Sequence, residues 1–107
     1  MSAGNVEIEE MIQANGSNAP RVSYKNVEDK ILTEQYYVFP GTTTTVCCLI
    51  LKNGFTTIGH SACASAANFN EAIGRCIAKE NAVDQVWQLE GYLLKQRLYE
   101  EEQNANV

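Results

Sequence analysis

Two cations stand where they could hold a phosphate group. Arg75 and Lys79 are four residues apart in a segment with helical periodicity, so their side chains point to the same side of the helix. Arginine offers a planar pair of N–H donors to a phosphate, and the first turns of a helix present backbone N–H groups that attract anions. The alternative is that both cations are paired, with Glu71 and Glu80 or with an acid of another subunit.

Aromatic and polar residues near the predicted sheet could hold the rest of such a ligand. Phe39, Tyr37 or Phe55 could stack on a base, although ordinary sheet packing is the simpler explanation, above all for Phe55. A run of threonines and an asparagine could bond the polar edge of a ligand, but threonine runs are also common on exposed strands. The candidate ligand-binding residues are Arg75, Lys79, Phe39, Thr42, Asn53, Ser61 and Asn68.

The segment His60-Ser61-x-Cys63 contains three side chains used in nucleophilic catalysis. A nucleophile needs a base and an orienting acid at hydrogen-bond distance, and the sequence has neither a G-x-S-x-G motif nor a Gly-rich phosphate loop. Zinc needs paired Cys or His ligands, whereas the four cysteines include no C-x-x-C and the chain has one histidine. We therefore expect binding without catalysis, and neither a metal nor a cofactor.

The thiols are expected to be reduced and to behave as small hydrophobic residues. Cys47 and Cys48 are neighbours in an apolar strand, so alternation puts them on opposite faces of the sheet.

The balance of charge excludes some partners. Eight Lys and Arg against thirteen Asp and Glu give a net charge of -5, with three acids together at Glu100–Glu102. A long nucleic acid needs a basic surface, whereas a small phosphorylated ligand needs only one or two local cations. No apolar run is long enough to cross a membrane. The N-terminal residues do not form the basic region and apolar stretch of a secretory signal, so we expect a cytoplasmic protein.

The elements that must position these residues fall into one domain. Residues 1–20 are predicted to be a flexible or docking arm, with a short helix from Val6 to Ala14; residues 21–102 form a single α+β domain, and 103–107 a disordered tail. After the arm, the sequence predicts a helix capped by Ser23 and ending near Gln35, followed by β-forming residues 36–39 and a turn at Pro40-Gly41. A strand over 42–51 comes next, then a hairpin turn at Asn53-Gly54 and a return strand over 55–58. A polar loop over 60–67 follows. The sheet is expected to be small and antiparallel, with three or four strands.

Apolar residues then recur at helical spacing from Phe69 to about Glu102, with Asn68 as the predicted N-cap. A helix of some 33 residues would be roughly 50 Å long, about twice the width of a compact domain of this size. It must bend near Gly91 or project and pack against another subunit, and we expect a homo-oligomer formed through it. Trp87 is predicted to lie in the core or in a helix–helix interface.

The sequence as a whole resembles a family of short phage and prophage proteins of unknown function, found in coliphages and Shigella phages. The resemblance covers about residues 21 to 99, and one position departs from it, because His60 stands where we expect an acid before the serine. The residues that carry it are Phe39-Pro40-Gly41-Thr42, Thr45-Val46-Cys47, Asn53-Gly54-Phe55, Gly59, Ser61-Ala62, Ala67-Asn68-Phe69, Ile73-Gly74-Arg75, Ala78, Ala82, Trp87, Leu89-Glu90-Gly91-Tyr92-Leu93-Leu94 and Arg97-Leu98.

An N-terminal antiparallel sheet followed by a long helical part is also similar to the first type of Thoeris anti-defence proteins. That resemblance implies a phage protein in the cytoplasm of its bacterial host that sequesters a cyclic ADP-ribose signal, or a cyclic oligonucleotide of CBASS immunity, and assembles from dimers. The alternatives from the residues are a protein-interaction module that inhibits a host protein through the arm or the acidic C-terminus, and a weak enzyme acting through Cys63 or His60.

Overall fold

The computed structural model describes Ile8, Glu10, Met11 and residues 19–105. Ile8, Glu10 and Met11 are helical and exposed, and the rest of the helix predicted from Val6 to Ala14 lies outside the described residues. The described chain is α+β: a short helix, three strands, a single 3-10 turn and a long C-terminal helix. This agrees with the fold class predicted from the sequence.

The first helix after residue 19, α1, spans Tyr24–Lys30. Ser23 caps it, because its Oγ accepts from the N–H of Asn26 (3.1 Å) while Asn26 Oδ1 accepts from the N–H of Ser23 (3.0 Å). Val27 is its buried residue. The prediction that this helix reaches Gln35 is wrong: the chain turns into a strand at Ile31, where pairing with a neighbouring strand outweighs a weak helical pattern.

The sheet is antiparallel, with strands β1 (Ile31–Val38), β2 (Thr45–Leu51) and β3 (Thr56–Ser61) in the order β1-β2-β3. Both predicted turns are present, and each uses a glycine with positive φ: Gly41 at 77° and Gly54 at 90°. His60 and Ser61 belong to β3, so the polar loop predicted to begin at His60 starts after Ser61.

The long helix, α2, spans Glu71–Ala105 and is continuous through Gly91. Its start differs from the prediction: Asn68 ends a 3-10 turn (Ala66–Asn68), and Asn70 caps α2 by accepting from the N–H of Ile73 at 3.1 Å. α2 also runs to Ala105, into the segment predicted as a tail. At 1.5 Å per residue its 35 residues measure about 52 Å.

The buried residues of α2 all lie between Gly74 and Val86. The first half of the helix therefore packs on the sheet, and the second half extends past it. The radius of gyration is 17.3 Å, against about 13 Å for a compact domain of this length. Trp87, at the boundary, is half-buried and packs against the core, as predicted.

The two faces of the sheet differ in burial. Alternate residues of β2 are buried on the side of α2, and the residues between them are only half-buried on the other side. Cys47 and Cys48 lie on opposite faces, as predicted. The core under α2 consists of Val27, Cys47, Leu49, Leu51, Ala78, Ala82, Val83 and Val86.

Helix and sheet approach closely because Gly59 of β3 has no side chain. A Cβ there would lie 2.8 Å from the carbonyl carbon of Asn81 and closer still to backbone atoms of Ala78 and Ala82. Side chains of α2 bond the backbone of β3 on either side of this contact. Asn81 Nδ2 donates to the carbonyl of His60 at 2.9 Å, and Gln85 Nε2 donates to that of Ile58.

Candidate functional site

Both cations of the predicted phosphate clamp are held by acids within the chain. Lys79 Nζ lies 2.8 Å from Glu34 Oε2 on β1, and Arg75 lies 3.1 Å from Glu71 one turn earlier on α2. The guanidinium of Arg75 also stands over the ring of Tyr36, 5.0 Å from its centroid. The sequence foresaw the pair with Glu71, but Lys79 pairs across to the sheet rather than with Glu80. A phosphate would have to displace a carboxylate at either cation.

The ionisation of this cluster follows from its contacts. The hydrogen bond from Lys79 lowers the pKa of Glu34, and the same bond raises the pKa of Lys79. Burial, with a hydrogen bond from its own hydroxyl to Glu34 (3.0 Å), raises the pKa of Tyr36 above its usual range. Burial likewise raises the pKa of the Cys47 thiol. Glu34 and Lys79 therefore stabilise each other in their charged forms, and the phenol of Tyr36 and the thiol of Cys47 stay neutral.

Phe39 and Thr42 lie at the β1–β2 turn. Phe39 packs edge-on against Tyr37, with ring centroids 5.0 Å apart. Thr42 Oγ1 donates to the carbonyl of Phe39 (2.8 Å) and accepts from the N–H of Thr44 (3.1 Å), so its hydroxyl serves the turn.

Ser61 and Asn68 line a small cavity beside the start of α2. Its volume is about 80 Å³, below the roughly 300–1,000 Å³ of ordinary ligand pockets. Ser61 Oγ donates to the carbonyl of Gly74 at 2.8 Å, which joins β3 to α2. The position of Ser61 is thus explained by packing.

The other two residues with a catalytic type of side chain, His60 and Cys63, lie at and just after the end of β3. His60 is exposed near the end of β3, and the Sγ of Cys63 donates to the carbonyl of Ser65 at 2.8 Å. Within the described ranges, no three His, Cys, Asp or Glu side chains are grouped so that they could hold a metal ion.

Two larger concavities among the described residues lie elsewhere, between α1, the β2–β3 hairpin and the second half of α2. Two cavities of about 400 and 440 Å³ share Asn26, Lys30, Glu90 and Leu93, and we call them together the α1–α2 groove. The N–H of Lys52 donates to the carbonyl of Lys30 (2.9 Å), which ties the hairpin to the end of α1. The full lining is Arg21, Val22, Asn26, Asp29, Lys30, Leu51, Lys52, Asn53, Glu90, Leu93, Leu94 and Arg97.

Positive charge is concentrated in this groove. Four of the eight Lys and Arg of the chain line it, against two carboxylates. Lys30 and Glu90 face each other at 4.0 Å, with side chains 52% and 16% exposed, and Arg97 Nε lies 3.5 Å from Glu101 Oε2 on the next turn of α2. A groove of this composition favours an anionic ligand even though the chain as a whole is acidic.

Sequence reasoning found one residue of the groove, Asn53, and missed its cations. Arg21, Lys30, Lys52 and Arg97 are spread over the chain, so no spacing joins them. The predicted candidates divide instead among separate places: Arg75 and Lys79 beside β1, Phe39 and Thr42 at one turn, Ser61 and Asn68 at the start of α2, and Asn53 at the groove.

Comparison with known proteins identifies the family. Residues 22–98 match the model of the phage protein family described as N4 Gp49/phage Sf6 gene 66, so the chain belongs to that family. The match covers most of the chain and confirms the resemblance to short phage proteins. No curated protein and no solved structure matches the sequence. None of the helices in the described ranges is long and apolar enough to cross a membrane.

Proposed function

We propose that this phage protein binds and sequesters a small phosphorylated signal of the cyclic-nucleotide type, without hydrolysing it, in the α1–α2 groove. The signal would be a cyclic ADP-ribose isomer or a cyclic oligonucleotide of bacterial immunity, and the protein an anti-defence sponge in the host cytoplasm. The observation that carries the proposal is the gathering of half the chain's Lys and Arg around one concavity in a chain of net charge -5.

The groove offers each kind of contact that a nucleotide needs. Arg21 and Arg97 supply planar N–H donors to phosphate oxygens, and Lys30 and Lys52 add point charges. The side-chain amides of Asn26 and Asn53 provide both donors and acceptors for a base or a ribose.

The walls and the size of the groove also suit such a ligand. Val22, Leu93 and Leu94 give an apolar wall on which a base can lie. Cavities of about 400 and 440 Å³ fall within the ordinary range of ligand pockets.

Binding without turnover is consistent with what lines the groove. Cleavage of a phosphodiester or glycosidic bond needs a positioned base or nucleophile. The described residues that line the groove include no Ser, Cys or His, and its two carboxylates are held in ion pairs, Asp29 with Lys25 (3.5 Å) and Glu90 with Lys30 (4.0 Å). A sponge requires only affinity, which the cations and amides supply.

Subunit association through the second half of α2 is part of the proposal. Tyr92, Leu93 and Tyr99 are 69%, 59% and 52% exposed, which is costly for apolar side chains on an isolated helix. Leu93 also lines the groove, so a second subunit packed on this helix would enclose a bound ligand.

The experiment is a thermal-shift screen of the purified protein against cyclic mono-, di- and trinucleotides and cyclic ADP-ribose isomers. A ligand at a thousandfold excess over its dissociation constant stabilises the protein by about 4 kcal/mol. Recovery of the compound unchanged after incubation tests the absence of turnover.

Variants locate the site. Loss of one charge-assisted hydrogen bond costs about 1.5–3 kcal/mol, so Arg97→Gln is expected to weaken binding by roughly 10- to 100-fold. Lys30→Gln is expected to act in the same direction. Lys95→Gln is the matched control and should bind normally, because Lys95 is an exposed cation on α2 that is not among the residues lining the groove.

Two results would contradict the proposal. If no compound of the panel shifts the melting temperature, the protein does not bind this class of ligand. The interaction-module hypothesis would then be tested by deleting residues 1–20 or the acidic segment Glu100–Glu102. A shift lost in Arg75→Gln but kept in Arg97→Gln would place the ligand at the cluster beside β1 instead.

A further inference from the structure

The α1–α2 groove is divided in its middle. Its two cavities, of about 400 and 440 Å³, meet at residues that line both of them and include Lys30 and Glu90. Each cavity also has cations of its own, Arg21 and Arg97 in one and Lys52 in the other. We propose that the groove selects a nucleotide whose two phosphates are separated by a ribose, with one phosphate bound in each cavity. This inference rests on the proposed function, because it concerns the ligand of the same groove.

The two sets of cations lie on either side of the junction. Arg97 comes seven residues after Glu90, which places it about 10 Å further along α2. Lys52 lies beside the end of α1, where its N–H donates to the carbonyl of Lys30 at 2.9 Å. The two phosphates of a diphosphate share an oxygen atom and therefore suit one set of cations only. A ribose holds two phosphates several bonds apart, so that each can meet its own set.

The carboxylate of Glu90 directs phosphates away from the junction. Its side chain is 16% exposed, so solvent screens its charge only weakly. Lys30 Nζ stands 4.0 Å away, beyond ordinary hydrogen-bond length, so the carboxylate can still accept from a ligand. A phosphate at the junction would meet a like charge, whereas a ribose hydroxyl there can donate to Glu90. Glu90 is therefore the residue that distinguishes separated phosphates from adjacent ones.

This division of the groove separates the two signals of the proposed function. In a cyclic oligonucleotide, a ribose separates successive phosphates. In a cyclic ADP-ribose isomer, the two phosphates are joined directly. The other carboxylate of the groove, Asp29, pairs with Lys25 at 3.5 Å and leaves Lys52 to the ligand. The groove is accordingly better matched to a cyclic oligonucleotide.

The test uses two isomeric probes, adenosine 3′,5′-bisphosphate and adenosine 5′-diphosphate, whose binding to the full chain is measured by calorimetry. They contain the same atoms and differ in whether a ribose separates the phosphates. Arg97→Gln removes a cation from one cavity, and Lys52→Gln removes one from the other. Glu90→Gln removes the charge at the junction and keeps the shape of the side chain. Lys95→Gln, at an exposed cation outside the lining, is the control.

The variants decide the outcome, because the bisphosphate has two monoester phosphates and so carries the larger charge near pH 7. We expect Arg97→Gln and Lys52→Gln each to weaken bisphosphate binding by about tenfold or more. The diphosphate should respond to only one of these two changes, and Lys95→Gln should affect neither probe. Glu90→Gln should bring the two affinities closer together, since it removes the repulsion that adjacent phosphates meet.

The proposal is overturned if either Arg97→Gln or Lys52→Gln leaves bisphosphate binding unchanged, or if Glu90→Gln preserves the ratio of the two affinities. It is also overturned if the bisphosphate does not bind. The proposed function fails separately. Bisphosphate binding that depends on both cavities, with no cyclic compound shifting the melting temperature, would keep this inference and contradict the sponge. A cyclic compound whose binding depends on Arg97 but not on Lys52 would do the reverse.

Discussion

The contact between Gly59 and α2 gives a prediction whose size follows from the structure. An added Cβ would lie 2.8 Å from the carbonyl carbon of Asn81, where carbon atoms ordinarily stay about 3.5 Å apart. The obstructing atoms belong to the helix backbone, so no side chain can rotate away. Gly59→Ala therefore forces α2 to move off β3 by most of an ångström.

That movement has two costs. Overpacking of this kind typically costs about 1–3 kcal/mol. It also stretches the hydrogen bonds across the contact, including the one from Thr57 Oγ1 to the carbonyl of Ala82 (3.0 Å), each worth about 1 kcal/mol. We expect the free energy of unfolding to fall by about 3 kcal/mol, and the melting temperature to fall by roughly 10–20 °C.

Urea unfolding followed by circular dichroism measures this loss, with Gly91→Ala as the matched control. A Cβ at Gly91 meets nothing within 4 Å, and alanine is the better helix former, so Gly91→Ala should stabilise the protein by up to about 1 kcal/mol. The reasoning is refuted if Gly59→Ala unfolds within 0.5 kcal/mol of wild type (roughly the scatter of neutral surface changes) or if both variants lose stability alike.

Two further predictions concern stability. Trp87→Ala should cost about 2 kcal/mol, less than for a fully buried tryptophan because Trp87 is half-buried, and an unchanged melting temperature would contradict its packing on the core. The lowered pKa of Glu34 means that its pair with Lys79 stabilises the fold above about pH 4.5 and that this contribution is lost as pH falls through the folded-state pKa. Lys79→Met should therefore flatten the acid limb of stability against pH in urea titrations, and an unaltered limb would argue against the pair.

Elements with strong local signals were predictable from the sequence. Ser23 marks a capped helix, Pro40-Gly41 and Asn53-Gly54 mark turns, and the apolar run through β2 marks a strand. Boundaries without such signals were misplaced. The stretch from Ile31 to Gln35 fits a helix by its apolar spacing, and only its pairing with β2 makes it a strand.

The candidate site was less predictable for a related reason. Arg75 and Lys79 drew attention because they are neighbours on one helix, yet the fold gives both of them acidic partners. The groove is built from α1, a hairpin and the far half of α2, so its cations come from positions that no local pattern connects.

The sequence by itself determined the α+β class, the order of the elements, the two glycine turns and the membership of a phage protein family. The class, the order of the elements and the turns depend on local propensity, periodicity and composition, which act between residues close in the chain, whereas the family membership rests on the match of residues 22–98 to the family model. The tertiary structure alone decided where the first helix ends, that α2 passes over one face of the sheet and leaves the other open, and which cations gather in the groove. Those features depend on contacts between residues far apart in sequence, whose energies are set by packing and pairing that no single segment contains.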